Sequence, residues 1–311
     1  MSVEITKVSH EDYGNCLKLF NGAAELLVSL DYGPRIRHLS LAGGENLLYS
    51  TAKDAIMLEG EPFDKAYYKG AQFKIRGGHR LWRSPEILPE TYYPDNDPVA
   101  YELDGRTVKL TCAPQLHNNV QIRLEITMDE TEANITIVHH ITNLSDSGMT
   151  FAPWALTMMG KGGLEIVPMN TRDTGLLANR AISVWSYANL ACERVAFHDR
   201  YFTLRQNPAH TRAFKIGFDN EAGWAAYINH QTLFVKRYDH VLGGSYPDNG
   251  CSYETYTNSE FLEMETLGEL KEAAPGETLT HTEYWSLKAV AGMPNQQDAD
   301  SIEAFVKEYI D

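Results

Sequence analysis

The sequence predicts an all-β protein built from antiparallel strands, with one short helix at its C-terminal end. Three observations carry that reading. First, alternation is clean between residues 120 and 142. Val120, Ile122, Leu124, Ile126 and Met128 share one face, Gln121, Arg123, Glu125 and Thr127 share the other, and Ile135, Ile137, His139 and Ile141 line up after the turn at 129–132. Such a period of two marks a half-buried antiparallel pair. Second, Gly-Pro and Gly-Gly steps punctuate short apolar runs as tight turns do. Third, no helical period of convincing length separates one strand candidate from the next, which disfavours a parallel βαβ architecture.

Taken in order, residues 1–50 read as short strands. Leu27-Val28-Ser29-Leu30 runs into the turn Asp31-Tyr32-Gly33-Pro34, and residues 35–41 follow before Gly43-Gly44. Residues 51–106 hold few periodic runs and much loop chemistry, such as Ser84-Pro85 and Leu88-Pro89. A stretch this long without periodicity is either functional or disordered, and its aromatics (Tyr67, Tyr68, Phe73, Trp82, Tyr92, Tyr93) argue for order. After the 120–142 pair, strands are expected at 149–157, 164–168, 213–218, 224–228, 232–238 and 279–290, with a hairpin over 253–268. In the second arm of that hairpin, Phe261, Glu263 and Glu265 point one way and Leu262, Met264 and Thr266 the other, because successive strand side chains lie on opposite faces. Two segments read as helical. One is 184–190. The other is the C-terminal end, where Asp300 caps, Glu303 follows three residues on, and Ile302, Phe305, Val306, Tyr309 and Ile310 form one apolar stripe suited to packing outside the sheets. With no repeat or linker, residues 1–311 are expected to form a single domain.

Composition narrows the function classes. A net charge of −15 opposes nucleic-acid binding. Cys16, Cys112, Cys192 and Cys251 are far apart without metal-like spacing, which fits a reduced compartment. No signal peptide is visible at the amino terminus, and no run approaches the ~18 apolar residues of a membrane span. A soluble, cytoplasmic protein without membrane partners is expected, as monomer or homodimer.

Three stretches carry candidate chemistry. Around Gly77-Gly78-His79-Arg80-Leu81-Trp82, the cations Lys69, Lys74, Arg76, Arg80 and Arg83 form a basic run in an acidic chain. Guanidinium and imidazole donors beside a Trp ring suit hydroxyls, a carboxylate or a phosphate; the alternative is a solvated hairpin whose arginines pair with surface acids. In Phe151-Ala152-Pro153-Trp154, the proline confines the stretch to an edge or bulge, and the ring is either core or a platform facing a cleft. The third stretch places Asp248 and Glu254 just upstream of Glu263 and Glu265. Clustered carboxylates raise one another's pKa, which is how Asp and Glu become general acids and bases; the alternative is a wet strand face. His139 and His140 are adjacent on a strand, so their rings point to opposite sides and cannot chelate one metal. No His/Cys spacing points to a metal site, and no cofactor is implied.

The order of these motifs over residues 15–290 resembles the galactose mutarotase-like (aldose 1-epimerase) superfamily. The resemblance is carried by Gly33-Pro34-Arg35-Ile36-Arg37-His38-Leu39, by 77–82 with Ser84-Pro85-Glu86, and by Thr142-Asn143-Leu144-Ser145. Phe151-Ala152-Pro153-Trp154, Tyr246-Pro247-Asp248-Asn249-Gly250, the 253–268 hairpin and Pro275-Gly276-Glu277 complete it. It implies a large antiparallel β-supersandwich with a sugar groove on a concave sheet. The family's epimerases use a glutamate base on a late strand, in a Cys-Leu-Glu-Thr-like context. Glu265-Thr266 matches the Glu-Thr pair and Phe261-Leu262-Glu263 matches the apolar residues before it, so either Glu263 or Glu265 is the implied base. Tyr256-Thr257 is similar to the family's Tyr-Thr, and 77–82 to its Leu-His-Gly-Gly loop, which implies His79 or Arg80 as a substrate contact. Trp154 stands where the family's acid histidine is expected. A Trp can stack on a sugar but cannot protonate its ring oxygen, so His79 is the best replacement acid.

The expectation is therefore acid/base chemistry at the anomeric centre of a mono- or oligosaccharide or sugar derivative, an anionic sugar being made plausible by the basic run. Glu263, Glu265 and His79 are the catalytic candidates, and Arg80, Trp82, Glu86, Trp154, Asp248, Glu254 and Tyr256 the binding ones. The alternatives are carbohydrate binding without chemistry, or a glycoside hydrolase or lyase on the same scaffold.

Overall fold

The alternating stretch folds as its period demands. In the computed structural model, which describes residues 3–310, strands Val120–Met128 and Asn134–Asn143 pair antiparallel from Val120↔Asn143 to Met128↔Ile135. Their apolar faces supply Leu124, Ile126 and Ile137 to the core without exposed surface. Each such side chain contributes about 1.5–3 kcal/mol relative to exposure.

This hairpin belongs to a 10-stranded sheet ordered Val195–Phe197, Tyr201–Arg205, Leu164–Pro168, Trp224–Asn229, Thr232–Tyr238, Thr278–Ala289, Asn134–Asn143, Val120–Met128, Thr107–Thr111, Ala100–Asp104. The second large sheet has 11 strands. Ten run Glu4–His10, Gly14–Phe20, Ala24–Ser29, Ile36–Leu41, His79–Ser84, Met149–Met159, Leu262–Leu267, Tyr253–Thr257, Phe214–Phe218, Ile182–Val184, and Lys271–Ala273 adds to Met149–Met159. The inner faces meet in one apolar cluster that joins Leu26, Ile36 and Met264 of one sheet to Leu124, Ile137 and Trp285 of the other. The fold is thus the expected antiparallel sandwich of large sheets.

The C-terminal helix, Ala299–Tyr309, lays Ile302, Phe305 and Val306 against Ile166, Ile228 and Val235 on the outer side of the 10-stranded sheet. Its cap is Asp298 rather than Asp300: the Asp298 carboxylate accepts from the backbone N–H groups of Asp300 and Ser301. The segment 184–190 is not helical. Ile182–Val184 pairs with Phe214–Phe218 and the chain then turns, leaving Val184, Tyr187 and Leu190 exposed. A short apolar run does not tell helix from strand, and a helix this short is stable only with a buried face.

Residues 51–106 are ordered, as their aromatics predict. A short helix (Glu61–Ala66), unread in the sequence, and the pair Ile56–Glu59 with Gln72–Lys74 gather Phe63, Tyr67 and Phe73 against Trp82, Tyr92 and Tyr93. Pro153 does not sit on an edge strand. Met149–Met159 runs through the sheet interior, and Pro153 falls at the break between Leu262–Leu267 and Lys271–Ala273, its carbonyl accepting from Gly268 N at 2.9 Å. That break removes the need for the N–H that proline lacks.

Candidate active site

Five neighbouring strands build one face. Along His79–Ser84, Met149–Met159, Leu262–Leu267, Tyr253–Thr257 and Phe214–Phe218, alternation sends Leu81, Ala155, Met264, Tyr253 and Ile216 into the core. Arg80, Trp82, Trp154, Glu263, Glu265, Glu254, Tyr256 and Lys215 therefore share the opposite face. Register sets the neighbours: Trp154 lies opposite Trp82, Glu254 opposite Glu265, and Tyr256 opposite both Glu263 and Lys215. The entry to the first strand needs two glycines. Gly77 and Gly78 have φ +80° and +76°, and a Cβ on Gly78 would lie 2.0 Å from the Ile36 carbonyl oxygen.

Above this face opens a cleft of about 370 Å³. Its floor is Arg80, Trp154, Glu263, Glu265 and Lys215; Trp82, Tyr92, Tyr187, Tyr256 and Phe261 supply aromatic walls, and Glu86 stands at the rim. Apolar walls with a few convergent polar groups are the usual make-up of a small-molecule site.

The polar floor is closely coupled. Arg80 Nη2 donates to Glu263 Oε1 at 2.9 Å, and its guanidinium stacks 4.0 Å over Trp82. Trp82 meets Trp154 edge-on, 5.5 Å between centroids, and Trp154 Nε1 donates to Glu265 Oε2 at 2.9 Å. Lys215 Nζ lies 3.0 Å from the same oxygen and 2.7 Å from Glu254 Oε2, between the rings of Trp154 and Trp185. Burial pushes the pKa of Glu265 up against the lowering pull of Lys215, and does so more strongly for Glu254. Burial pulls Lys215 down, but the two carboxylates outweigh it and hold the ammonium charged. Burial also lowers Arg80, with Glu263 opposing. Glu265 Oε1 and Arg80 Nε and Nη1 are buried without a hydrogen-bond partner. Orphaned buried polar atoms cost about 1–3 kcal/mol each, which a ligand's hydroxyls would relieve.

Of the residues singled out in the sequence, Arg80, Trp82, Glu86, Trp154, Tyr256, Glu263 and Glu265 line this cleft. Trp154 is both core and wall, 3% exposed yet facing the cavity. Glu254 shares this sheet face but does not line the cleft: it is fully buried against Lys215. Asp248 lies away from the cleft. It is in the Pro247–Gly250 turn beside Ile182–Val184, its carbonyl accepting from the Ser183 hydroxyl at 2.6 Å. His79 is also outside. It precedes Arg80, so alternation turns its ring between the sheets, where Nδ1 meets the Thr157 hydroxyl at 2.9 Å and Nε2 meets His139 Nε2 at 2.8 Å. A fully buried imidazole on the far side of the sheet cannot touch a ligand in the cleft. Four of the five cations of the basic run are spoken for: Lys74 pairs with Asp54, Arg76 with Asp95, Arg83 with Glu90 and Arg80 with Glu263, while Lys69 is exposed.

Lys215, Tyr92 and Tyr187 went unread as site residues. For Lys215 a signal existed, since it is the one charge inside the apolar strand stretch Ala213-Phe214-Lys215-Ile216-Gly217-Phe218. Tyr187 lies in a loop whose approach to the cleft has no sequence signature.

Between the sheets, ligand atoms of His79, His139 and Glu283 lie within 4.8 Å of one another. Their lone pairs are engaged. His139 Nδ1 donates to the His281 carbonyl, which leaves its Nε2 to accept from His79, while Glu283 takes Lys236 at 2.8 Å and Trp285 Nε1 at 2.8 Å. Lys236 is the cation of this cluster, and His140 faces away, toward Glu125.

No protein-family profile and no curated protein matches this chain. Solved structures do. A TPR-domain containing protein from Parabacteroides distasonis is similar at TM-score 0.60 and 13% identity over 92% of this chain, which spans only 53% of that protein's length. A galactose mutarotase-like protein from Clostridium acetobutylicum is similar at TM-score 0.55 and 10% identity, over 93% of this chain and 99% of that one. The galactose 1-epimerase from Lactobacillus acidophilus is similar at TM-score 0.50 and 14% identity, over 93% and 99%. At these identities the shared property is the fold.

Proposed function

Starting from a chain with the galactose mutarotase-like fold, we propose that the cleft binds a sugar ring and catalyses proton transfer at its anomeric centre, as an aldose 1-epimerase-like isomerase would. One observation carries this reading: Glu263 and Glu265 project side by side from one strand into an aromatic-walled cleft. Trp82, Trp154 and Tyr187 offer apolar faces for a pyranose ring, and the orphaned atoms of Arg80 and Glu265 offer hydrogen bonds to its hydroxyls. Glu263, oriented by Arg80, takes the proton of the C1 hydroxyl. The C1–O5 bond breaks, O5 is protonated, C1 rotates, and the reverse steps close the ring on the other anomer. Positioned acid–base groups typically supply 10²–10⁴-fold each. The ligand is a neutral sugar, because the cations reaching the cleft, Arg80 and Lys215, already hold carboxylates. NMR exchange between anomers of neutral aldoses should accelerate with the protein present. No acceleration for any of them overturns the proposal.

A second reading, binding without turnover, is favoured by one feature: among the described residues no histidine lines the cleft, and Glu263 is tied to Arg80. It predicts thermal stabilisation by sugars that persists in a Glu263→Gln, Glu265→Gln double variant.

A further inference from the structure

The proposed chemistry needs a proton for O5, and neither His79 nor Trp154 can give it. We propose that Glu254 and Glu265 share one proton as a carboxyl pair, buffered by Lys215, and that Glu265, the member lining the cleft, delivers it to the ring oxygen. This deepens the reading above and its delivery step rests on it.

Glu254 and Glu265 are directly opposite on neighbouring strands, both with no exposed surface, and both reach one ammonium, at 2.7 and 3.0 Å. Two carboxylates against one lysine leave a net negative charge among buried side chains. Holding such a charge unpaired is far more costly than keeping one proton. Oε2 of Glu265 takes both Trp154 Nε1 and Lys215, while its Oε1, like Oε1 of Glu254, is buried without a hydrogen-bond partner, so each carboxyl has an oxygen free to carry the shared proton. Gly217 lies opposite Glu254, and a Cβ there would come within 2.5 Å of Cys251 Sγ and 3.2 Å of Glu254 Cγ, so the glycine leaves room for both side chains.

Other charges bear on the pair. On the cleft side these are Glu263 and Arg80, with the phenols of Tyr187 and Tyr256; Asp248 lies beyond Glu254. From the inter-sheet side come Glu165, Lys236 and Tyr253. Burial and this crowding raise both carboxyls, while Glu263, two residues along the same strand, keeps its Arg80 ion pair. Paired carboxyls with opposed environments divide into acid and base.

The proton count closes. Glu263 gains the C1 hydroxyl proton as C1 becomes a carbonyl, the C1–O5 electron pair moves to O5, and O5 takes the Glu265 proton. On reclosure the C5 hydroxyl returns that proton to Glu265 and Glu263 returns its own. Glu254 and Lys215 are positioning residues, since they act through Glu265.

Infrared spectroscopy of the sugar-free protein tests the pair, in a Glu165→Gln background because Glu165 is another buried carboxyl with an unpartnered oxygen. Near pH 7 a protonated-carboxyl band is expected. It should vanish in both Glu254→Gln and Glu265→Gln, since one remaining carboxyl facing one ammonium ionises. Absence of the band, or its survival in either variant, overturns the shared proton whatever the activity. Delivery is read from anomer exchange of D-glucose and D-galactose. Glu265→Gln should slow exchange by about 10²–10⁴-fold. Glu254→Gln should move the basic limb of the rate profile to lower pH without changing KM. Wild-type profiles in both variants overturn delivery but leave the isomerase reading intact, whereas a band with no exchange in the wild type removes both delivery and that reading.

Discussion

Arg80 Nη2 and Glu263 Oε1, 183 residues apart in the chain, meet at 2.9 Å on the floor of the cleft, with the guanidinium carbon 4.0 Å over the Trp82 ring. The contact fixes the carboxylate in one orientation and leaves two Arg80 nitrogens, Nε and Nη1, for something else.

Glu263→Gln keeps an acceptor for Arg80 but loses the base. Anomer exchange should fall by at least about 10²-fold while the melting temperature stays close to wild type. NMR exchange rates and a thermal melt together check it; undiminished exchange would remove Glu263 from the chemistry.

Lys215→Met leaves Glu254 and Glu265 buried without their cation. Breaking a buried pair by removing one partner costs about 3–5 kcal/mol. The loss should be largest at neutral pH and shrink toward about pH 4, where carboxyls are protonated in the unfolded chain too. Urea melts across pH measure this, and a pH-independent loss would point to packing instead.

Glu165 accepts from the Tyr253 hydroxyl at 2.6 Å, and burial raises its pKa to about 8. The folded state then holds a proton that the unfolded chain releases at about pH 4.3. With the folded pKa above the unfolded one, stability falls as pH rises between the two values, by about 1.4 kcal/mol per pH unit. Glu165→Gln should flatten that decline and gain on wild type as pH rises from 5 to 8. Parallel stability curves for the two proteins would contradict it.

Asp298→Ala removes the side-chain acceptor of two backbone N–H groups at the start of the C-terminal helix. Loss of such a cap costs about 0.5–2 kcal/mol, which thermal denaturation resolves. Asp300→Ala should cost less, as Asp300 contributes only its backbone N–H to the cap.

How much of this was legible depends on the range of the physics involved. Strand alternation is local: it put Glu263 and Glu265 on one face and Leu262, Met264 and Thr266 on the other, and the structure keeps that division. The same rule, applied to Gly77-Gly78-His79-Arg80, makes His79 and Arg80 opposites, so only one of them could reach the cleft. Which one depends on which face the second sheet covers, and that is a tertiary fact. Lys215 illustrates the limit from the other side. Its position in an apolar strand was visible, but its two carboxylate partners lie 39 and 50 residues away in sequence.

By itself, then, the sequence determined most of the longer strands, their two-faced character and the order of motifs, because the period of two and the turn residues act within a few positions. Sheet order and register decided the rest. They set Glu254 opposite Glu265, drew Lys215 between them, turned His79 inward and left Asp248 in a turn outside the cleft. A carboxylate's chemistry depends on the charge, water and donors within a few ångströms, and those neighbours come from parts of the chain that only the folded sheet brings together.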